Sequence, residues 1–376
     1  MSIQNIAFLL ILIKIIFVYF LYTEKSFYKL FFASIVYGYA MFFFLYGRIP
    51  NDITGNYSLF SNILIISFLI LIQAIFHLSY LFTNFAKKMK KTYIKIFSFS
   101  ILLVISELLI SYGMSIVFAK RLALDFVFSN TGFALSFTPF VYFAKYTHVF
   151  ILTFIFGLLI GSFLESKIQK KFLILITFCF FSITYFNMSN FLKREESKSY
   201  AELEKVLIKK EGARWIRNDF TKLYEKKYDL IIDGDIIKEE GKTYNTSIFY
   251  DIKNDKKVIN YKSFLVPFGE YLPSTFSWIK YIYPDVYEKM KTEHTYTAKE
   301  KNEVFVYNDK KIITLICSDA WSPASTLKVK IQQPDFVILQ RSDTAFNYSD
   351  VYDANILLWK PVAYNFLETN VLDVNR

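Results

Sequence analysis

Three side chains that could together attack a carbonyl stand at the ends of short apolar runs in the C-terminal half of this sequence of 376 residues. Cys317 closes the run KKIITLIC, Lys262 stands one residue before FLVPFGE, and Asp235 or its neighbour Asp233 follows the apolar triplet Leu230–Ile232. A carboxylate can take a thiol proton, and a lysine ammonium can stabilise a thiolate and then an oxyanion. Backbone amides just after Cys317 can complete an oxyanion hole, and a further acid, Asp319, lies two residues beyond it. Each residue also has a plain alternative. A strand-end cysteine is commonly a small buried residue, a hairpin lysine is commonly solvated, and an aspartate after a strand is a turn former. Type and spacing leave both readings open.

Other chemistries are easier to exclude. The chain has two cysteines and three histidines (His77, His148, His294), scattered without metal-ligand spacing. Neither a zinc site nor a Cys-His pair is expected, and no cofactor. Cys179 sits inside an apolar segment, so it faces lipid or a helical core. The net charge of +11 is carried largely by lysines in short loops beside apolar segments, where they set topology. No basic patch with interleaved aromatics points to nucleic acid.

The elements that must position the three residues divide the chain in two. Apolar residues make up 54% of the sequence and the mean hydropathy is +0.30, an excess concentrated in residues 1–190. Spans of about 20 apolar residues are expected at 3–22, 28–46, 60–83, 96–118, 146–164 and 171–188, with Lys14 facing other helices or snorkelling. Lys87, Lys88, Lys90, Lys91 and Lys95 mark one loop, and Lys167, Lys170 and Lys171 another. The positive-inside rule puts both in the cytoplasm and everything after 188 on the other face. Glu107 is ionisable within a span, which marks a functional site by default, unless it only satisfies a neighbouring polar group. The segment 130–150, broken by Gly132 and Pro139, reads as re-entrant or interfacial.

A charged linker (191–204) leads to a globular half, 205–376. A strand is expected at 230–232, a hairpin turning at Lys253–Lys256, a second turning at Asn308-Asp309, and a strand within 332–343. Helices are expected at Leu327–Gln332 and Asp353–Asn365. Short apolar strands that end in reactive residues suggest an α/β sandwich.

The segment KSFLVPFGEYLP (262–273) resembles the signature of bacterial apolipoprotein N-acyltransferases, membrane members of the nitrilase superfamily. The order also fits: a membrane bundle, an acid after DLII, Lys262, then LIC with an acid. The resemblance implies a multi-pass α-helical membrane bundle plus an α/β nitrilase-like αββα sandwich. It also implies a triad with Cys317 as nucleophile, Lys262 as the lysine and Asp235 in place of the family's glutamate. Glu270 matches the essential acid ending PFGE, and RSDTAF (341–346) is similar to a family segment. Asp319 follows Ser318 where the family has Tyr-Glu. The chain stops before the last strands and final helix expected in the family. The implied reaction moves an acyl chain from a phospholipid through a cysteine thioester to a lipoprotein's N-terminal amine. The implied protein is a monomer in the bacterial inner membrane, with its catalytic domain on the periplasmic face. The alternatives are a membrane-anchored relative of the conjugal-transfer type with another acyl or amide substrate, and a degenerate paralogue.

Overall fold

A computed structural model of the protein describes residues 2–46, 67, 70–119, 121–166, 170–198, 206–208, 230–266, 270–282, 284–293, 296–340 and 350–373. The N-terminal half is helical: α1 (Ile3–Thr23), α2 (Phe27–Tyr46), α3 (Thr92–Met114), α4 (Val149–Glu165) and α5 (Lys170–Lys198). Among the described residues two helices, Ile3–Thr23 and Thr92–Ala119, are long and apolar enough to cross a membrane. Of the expected span 60–83, residues 67 and 70–83 are described, and Phe76–Lys88 forms a 3₁₀ stretch. The last helix runs past the expected boundary at 190 to Lys198. Lys14 is buried against other elements, donating to Tyr37 Oη at 3.4 Å and the Phe128 carbonyl at 3.3 Å.

The lysine-rich loop gathers with other helix ends at one pole of this half. Lys87 donates to the Glu24 carbonyl, Lys95 pairs with Glu165, and Tyr22 Oη donates to Glu165 at 3.0 Å. The opposite pole carries the segment after α3. Within it, residues 130–150, expected to be re-entrant or interfacial, fold into 3₁₀ turns at Thr131–Leu135 and Pro139–Phe143 and a short helix at Ala144–Thr147. Phe133, Leu135 and Phe137 are buried, so this irregular backbone is covered by protein. Glu107 holds it in place. Its carboxylate accepts from the Thr131 amide and hydroxyl, both at 2.6 Å, from Thr153 Oγ1 at 2.5 Å and from Tyr80 Oη at 3.3 Å.

The C-terminal half contains two four-stranded sheets. The first is β1 (Val206–Ile208), β2 (Leu230–Glu239), β3 (Lys242–Asp251) and β4 (Lys256–Tyr261); the second is β5 (Phe305–Tyr307), β6 (Lys310–Ile316), β7 (Phe336–Gln340) and β8 (Asn370–Asp373). Both expected hairpins form, as antiparallel β3–β4 and β5–β6 pairs. Asn308 and Asp309 have φ of 47° and 60°, as a two-residue primed turn requires. A third hairpin, β2–β3, turns at Glu240-Gly241, with φ of 49° and 74°. Its consequence is a correction: β2 does not end at Ile232 but continues through Asp233 and Asp235 to Glu239.

Strand alternation turns Ile232 and Phe249 of the first sheet onto Phe305, Ile312, Phe336 and Ile338 of the second, with Phe249 stacked on Phe305 at 5.1 Å. On the second sheet's outer face, Ile313, Leu315, Val337 and Leu339 meet α6 (Pro323–Ile331) and α7 (Asp350–Leu367). The helix α7 packs in turn on α1 and α2. One apolar core therefore runs from the second sheet into the helical half. Of the expected αββα layering, the two sheets and the helical layer on the second are described.

Gly132 tests the packing of the irregular segment. A Cβ there would stand 2.5 Å from the Thr153 amide nitrogen and 2.6 Å from the Val149 carbonyl oxygen, both backbone atoms of α4. Gly132→Ala should therefore destabilise the protein by roughly 1–3 kcal/mol, seen as a lowered Tm in detergent. An unchanged Tm would refute the close approach.

Candidate active site

The strand β6, an inner strand of the second sheet, delivers Cys317 at its C-terminal end. Parallel pairing with β7 ends at Ile316–Gln340, and the chain then folds into a 3₁₀ turn, Cys317–Trp321. The reversal is made at Cys317 itself, which has φ of 49°. A left-handed conformation is unusual for a side chain of this kind, and such residues cluster where function holds them. Cys317 is 3% exposed, so its thiol is not a surface group.

A buried carboxylate ties this turn to the lysine. Asp319 accepts from the Phe264 amide at 2.7 Å, the Ser263 hydroxyl at 2.8 Å, the Ser263 amide at 3.2 Å and the Ile316 amide at 3.4 Å. In the reverse direction, Ser318 Oγ donates to the Phe264 carbonyl. Residues 262–264 and 316–319 are thereby locked side by side, with Lys262 one position before the bonded amides and Cys317 two before the carboxylate. Burial pushes the Asp319 carboxyl up to about 6 from its ordinary 3.8; the Lys262 charge, the Ser263 side chain and the backbone amides pull the other way.

Lys262 continues the line of β4, its amide donating to the Asn245 carbonyl at 2.9 Å. Its ammonium is 2.7 Å from Glu270 Oε1, and both residues are buried. Asn245 Nδ2 donates to the same oxygen at 3.2 Å, and the Val266 amide to the other at 2.7 Å. The Glu270 carboxylate is thus fixed by an amide, a carboxamide and an ammonium. Removing either partner would leave the other charge buried and uncompensated, which is strongly destabilising.

Asp235 is not brought to this group. In the antiparallel register it pairs with Thr246, which pairs with Tyr261, whereas Lys262 lies in line with Asn245 and Ile236. Neighbouring positions on a strand face opposite ways, so Asp235 projects from the other face of the first sheet. It is half-buried there, and its Oδ1 accepts from the Ile236 amide at 2.7 Å. Asp233 shares that face. The geometric reason is the continuation of β2: a turn after Ile232 would have freed the acid to swing inward. Among the expected acids, it is Glu270 that reaches Lys262. Glu107 remains in the helical half with the hydroxyl and amide partners named above. His294 and 341–346 lie outside the described residues.

Two residues in the site's wall were not anticipated. The Arg121 guanidinium pairs with both oxygens of Asp125, at 2.7 and 2.6 Å, and donates to the Ser263 carbonyl at 3.0 Å. Asp125 Oδ1 accepts from Ser322 Oγ at 2.7 Å, and Ser322 Oγ also caps α6 through the Ser325 amide at 2.9 Å. Around them Phe126 meets Phe264 edge-on at 5.0 Å and Phe128 meets Trp321 at 6.3 Å. The segment after α3 therefore grips both strips that Asp319 joins. The available signal was an arginine and an aspartate four residues apart in RLALD, at the end of an apolar span.

Among the described residues no cluster of His, Cys, Asp and Glu could hold a metal ion. No family model matches the chain, and no curated protein matches it. Its structure is similar to that of a glutamine-dependent NAD+ synthetase from Acinetobacter baumannii, at 19% identity and TM-score 0.26, over 41% of this chain and 29% of that one. It is similar to a carbon-nitrogen hydrolase from Helicobacter pylori G27, at 12% identity and TM-score 0.29, over 47% of this chain and 62% of the other. A CN-hydrolase superfamily protein from Xanthomonas campestris matches at 10% identity and TM-score 0.26, over 45% and 64%. Each match spans less than two thirds of the other protein.

The Asp319 carboxyl gives a pH signature. Its folded value lies above its ordinary one, so between about 4 and about 6 the folded state binds more protons than the unfolded. Its contribution to stability is complete below about 4 and lost as pH rises through about 6. The full effect is about 3 kcal/mol. Denaturant midpoints of the wild type and Asp319→Asn across that range should show a fall in the wild type that the variant flattens. Parallel pH profiles would show that Asp319 is not the group responsible.

Proposed function

We propose that the protein is an acyltransferase that works through a cysteine thioester, moving an acyl chain from a phospholipid to the N-terminal amine of a lipoprotein. The observation that supports this most directly is a buried Lys262–Glu270 pair locked, through Asp319, beside a cysteine held in a left-handed turn. A nucleophile, an ammonium and a carboxylate are the parts that acyl transfer by covalent catalysis needs.

In this reading Glu270 accepts the Cys317 proton and the thiolate attacks the ester carbonyl of the donor. The Lys262 ammonium and the amides following Cys317 hold the oxyanion. Collapse breaks the ester C–O bond. The lysophospholipid alkoxide leaves with the proton returned by Glu270, and the acyl group stays on sulfur. The amine of the acceptor then attacks the thioester, Glu270 takes its proton, and the thiolate is released and reprotonated. No oxidant, reductant or diffusible cofactor enters the balance.

A lipid donor and a lipid-anchored acceptor suit the site's surroundings. The strips bearing Lys262 and Cys317 are gripped by a segment of the apolar helical half through Arg121, Asp125 and Phe126. That segment lies at the pole opposite the lysine-rich loop. With those lysines in the cytoplasm, the site would face the periplasmic surface of a bacterial inner membrane, where both substrates are held.

Incubation with a phospholipid carrying a labelled acyl chain should give a hydroxylamine-sensitive adduct on Cys317, absent in Cys317→Ala. Glu270→Gln should slow its formation by about 10²–10⁴-fold, the range for a general base. Asp235→Asn, on the far face of the sheet, should change the rate by no more than about twofold, as for a remote surface residue. A large loss with Asp235→Asn, and none with Glu270→Gln, would reverse the assignment of the base. No adduct in folded wild type would refute acyl transfer.

A further inference from the structure

A groove with a volume of about 880 Å³ opens between the two halves, lined by α3, α4, the segment after α3 and α6. It lies within the size range of ligand sites. Among the described residues its lining does not include Cys317, Lys262 or Glu270; it is adjacent to the catalytic wall, touching it at Ser325, whose hydroxyl is 2.9 Å from that of Ser263.

The groove is graded from apolar to polar. Along α3 its floor is Ile101, Val104, Ile105 and Leu108, which recur at helical spacing on one face. Two of these, Ile101 and Ile105, are more than a third exposed. Tyr112 follows on the same stripe, about 16 Å from Ile101 at the rise of an α-helix, and beyond it the groove meets Arg121, Glu300 and Lys328. Those charges are matched to one another: Glu300 is 3.3 Å from Arg121 and 2.6 Å from Lys328. Asp125 also pairs with Arg121, so two carboxylates meet two cations and the polar end has no net charge to spare for a bare anion.

Between the two ends stands His148. It is 2% exposed and lines the groove, yet neither ring nitrogen has a hydrogen-bond partner among the described residues. Its backbone has φ of 57° at the start of α4. A buried imidazole without partners costs free energy unless a ligand meets it. The ring meets Phe366 edge-on at 5.1 Å.

We infer that this groove docks one acyl chain of a phospholipid, with the chain along Ile101–Leu108 and an ester oxygen of the lipid at His148. The inference rests on the acyltransferase reading for its purpose: a chain held here is one that does not react, and it anchors the donor while its other ester is presented to Cys317. The gradation matches an amphiphile, and the neutral polar end matches a glycerol ester region better than a phosphate or a carboxylate. An amphipathic peptide is the competing occupant.

The test uses full-length protein in nanodiscs with a phosphatidylethanolamine carrying a diazirine on one acyl chain, in the Cys317→Ala background so that binding is read without transfer. Photolysis should label peptides containing Ile101–Leu108 and Phe150–Phe154. Ile105→Trp, which fills the groove from an exposed position, should reduce that labelling at least tenfold. His148→Phe should reduce it for the ester-bearing lipid but leave labelling by a diazirine alkane unchanged. Size-exclusion elution confirms that each variant is folded; if His148→Phe is not, Ile105→Trp decides alone. Labelling spread evenly over exposed apolar positions of α5, such as Phe178 and Phe186, would overturn the inference. Labelling of a folded Ile105→Trp at the wild-type level would do the same. Groove labelling without a thioester in wild type would sink the acyltransferase reading alone, whereas a thioester without groove labelling would sink only this inference.

Discussion

The arrangement of the C-terminal half depends on one buried carboxylate. Asp319 is fully enclosed and accepts bonds from two successive amides and a hydroxyl on the lysine strip, and from an amide on its own strand. Those donors have no water to turn to, so leaving them unpaired would cost more than the bonds return. The consequence is geometric. Two segments from different sheets, 55 residues apart in sequence at Phe264 and Asp319, are held in a fixed relation. Lys262 and Cys317 inherit that relation from the backbone rather than from flexible side chains, which is how a catalytic group is preorganised.

The second layer of support comes from outside the sheets. Arg121 and Asp125 reach from the end of α3 to Ser263 and Ser322, one on each of the strips that Asp319 joins. Glu107 then fixes the far end of the same segment through Thr131 and Thr153. One segment, anchored by charge-assisted hydrogen bonds at both ends, thus runs from the interior of the helical half to the shell around Cys317. The division of the chain by composition is real, but it is not a division of the structure into independent parts.

What was legible in the sequence followed from local rules. Asn308-Asp309 and the polar stretch after Asp251 announce hairpins because their residue types suit the turns. Ile312–Ile316 announces a buried strand because both of its faces are covered. Cys317, Lys262 and Glu270 stood out through a motif; the structure places Lys262 against Glu270 and joins the Lys262 and Cys317 strips through Asp319. The acid was misplaced for a reason of register. Asp233-Gly234-Asp235 has the composition of a turn, but pairing with Ser247 and Thr246 keeps it in a strand, and alternation then sends Asp235 outward. No local signal distinguishes those outcomes, because the decision is made by the partner strand. Arg121 and Asp125 were passed over for a similar reason: their partners lie roughly 140 to 200 residues away.

The continuous core has a practical side. Ile313, Leu315, Val337 and Leu339 on the second sheet belong to the same apolar cluster as Phe118, Phe126 and Phe128 of the helical half. A fragment beginning after α5 would keep α6 and α7 on that face but would strip α7 of its neighbours α1 and α2, leaving its far side as a water-exposed apolar surface. Such surfaces associate with one another. The globular half, despite its ordinary composition, is thus built to be a lodger of the helices, and overproduced alone it would be expected in the insoluble pellet.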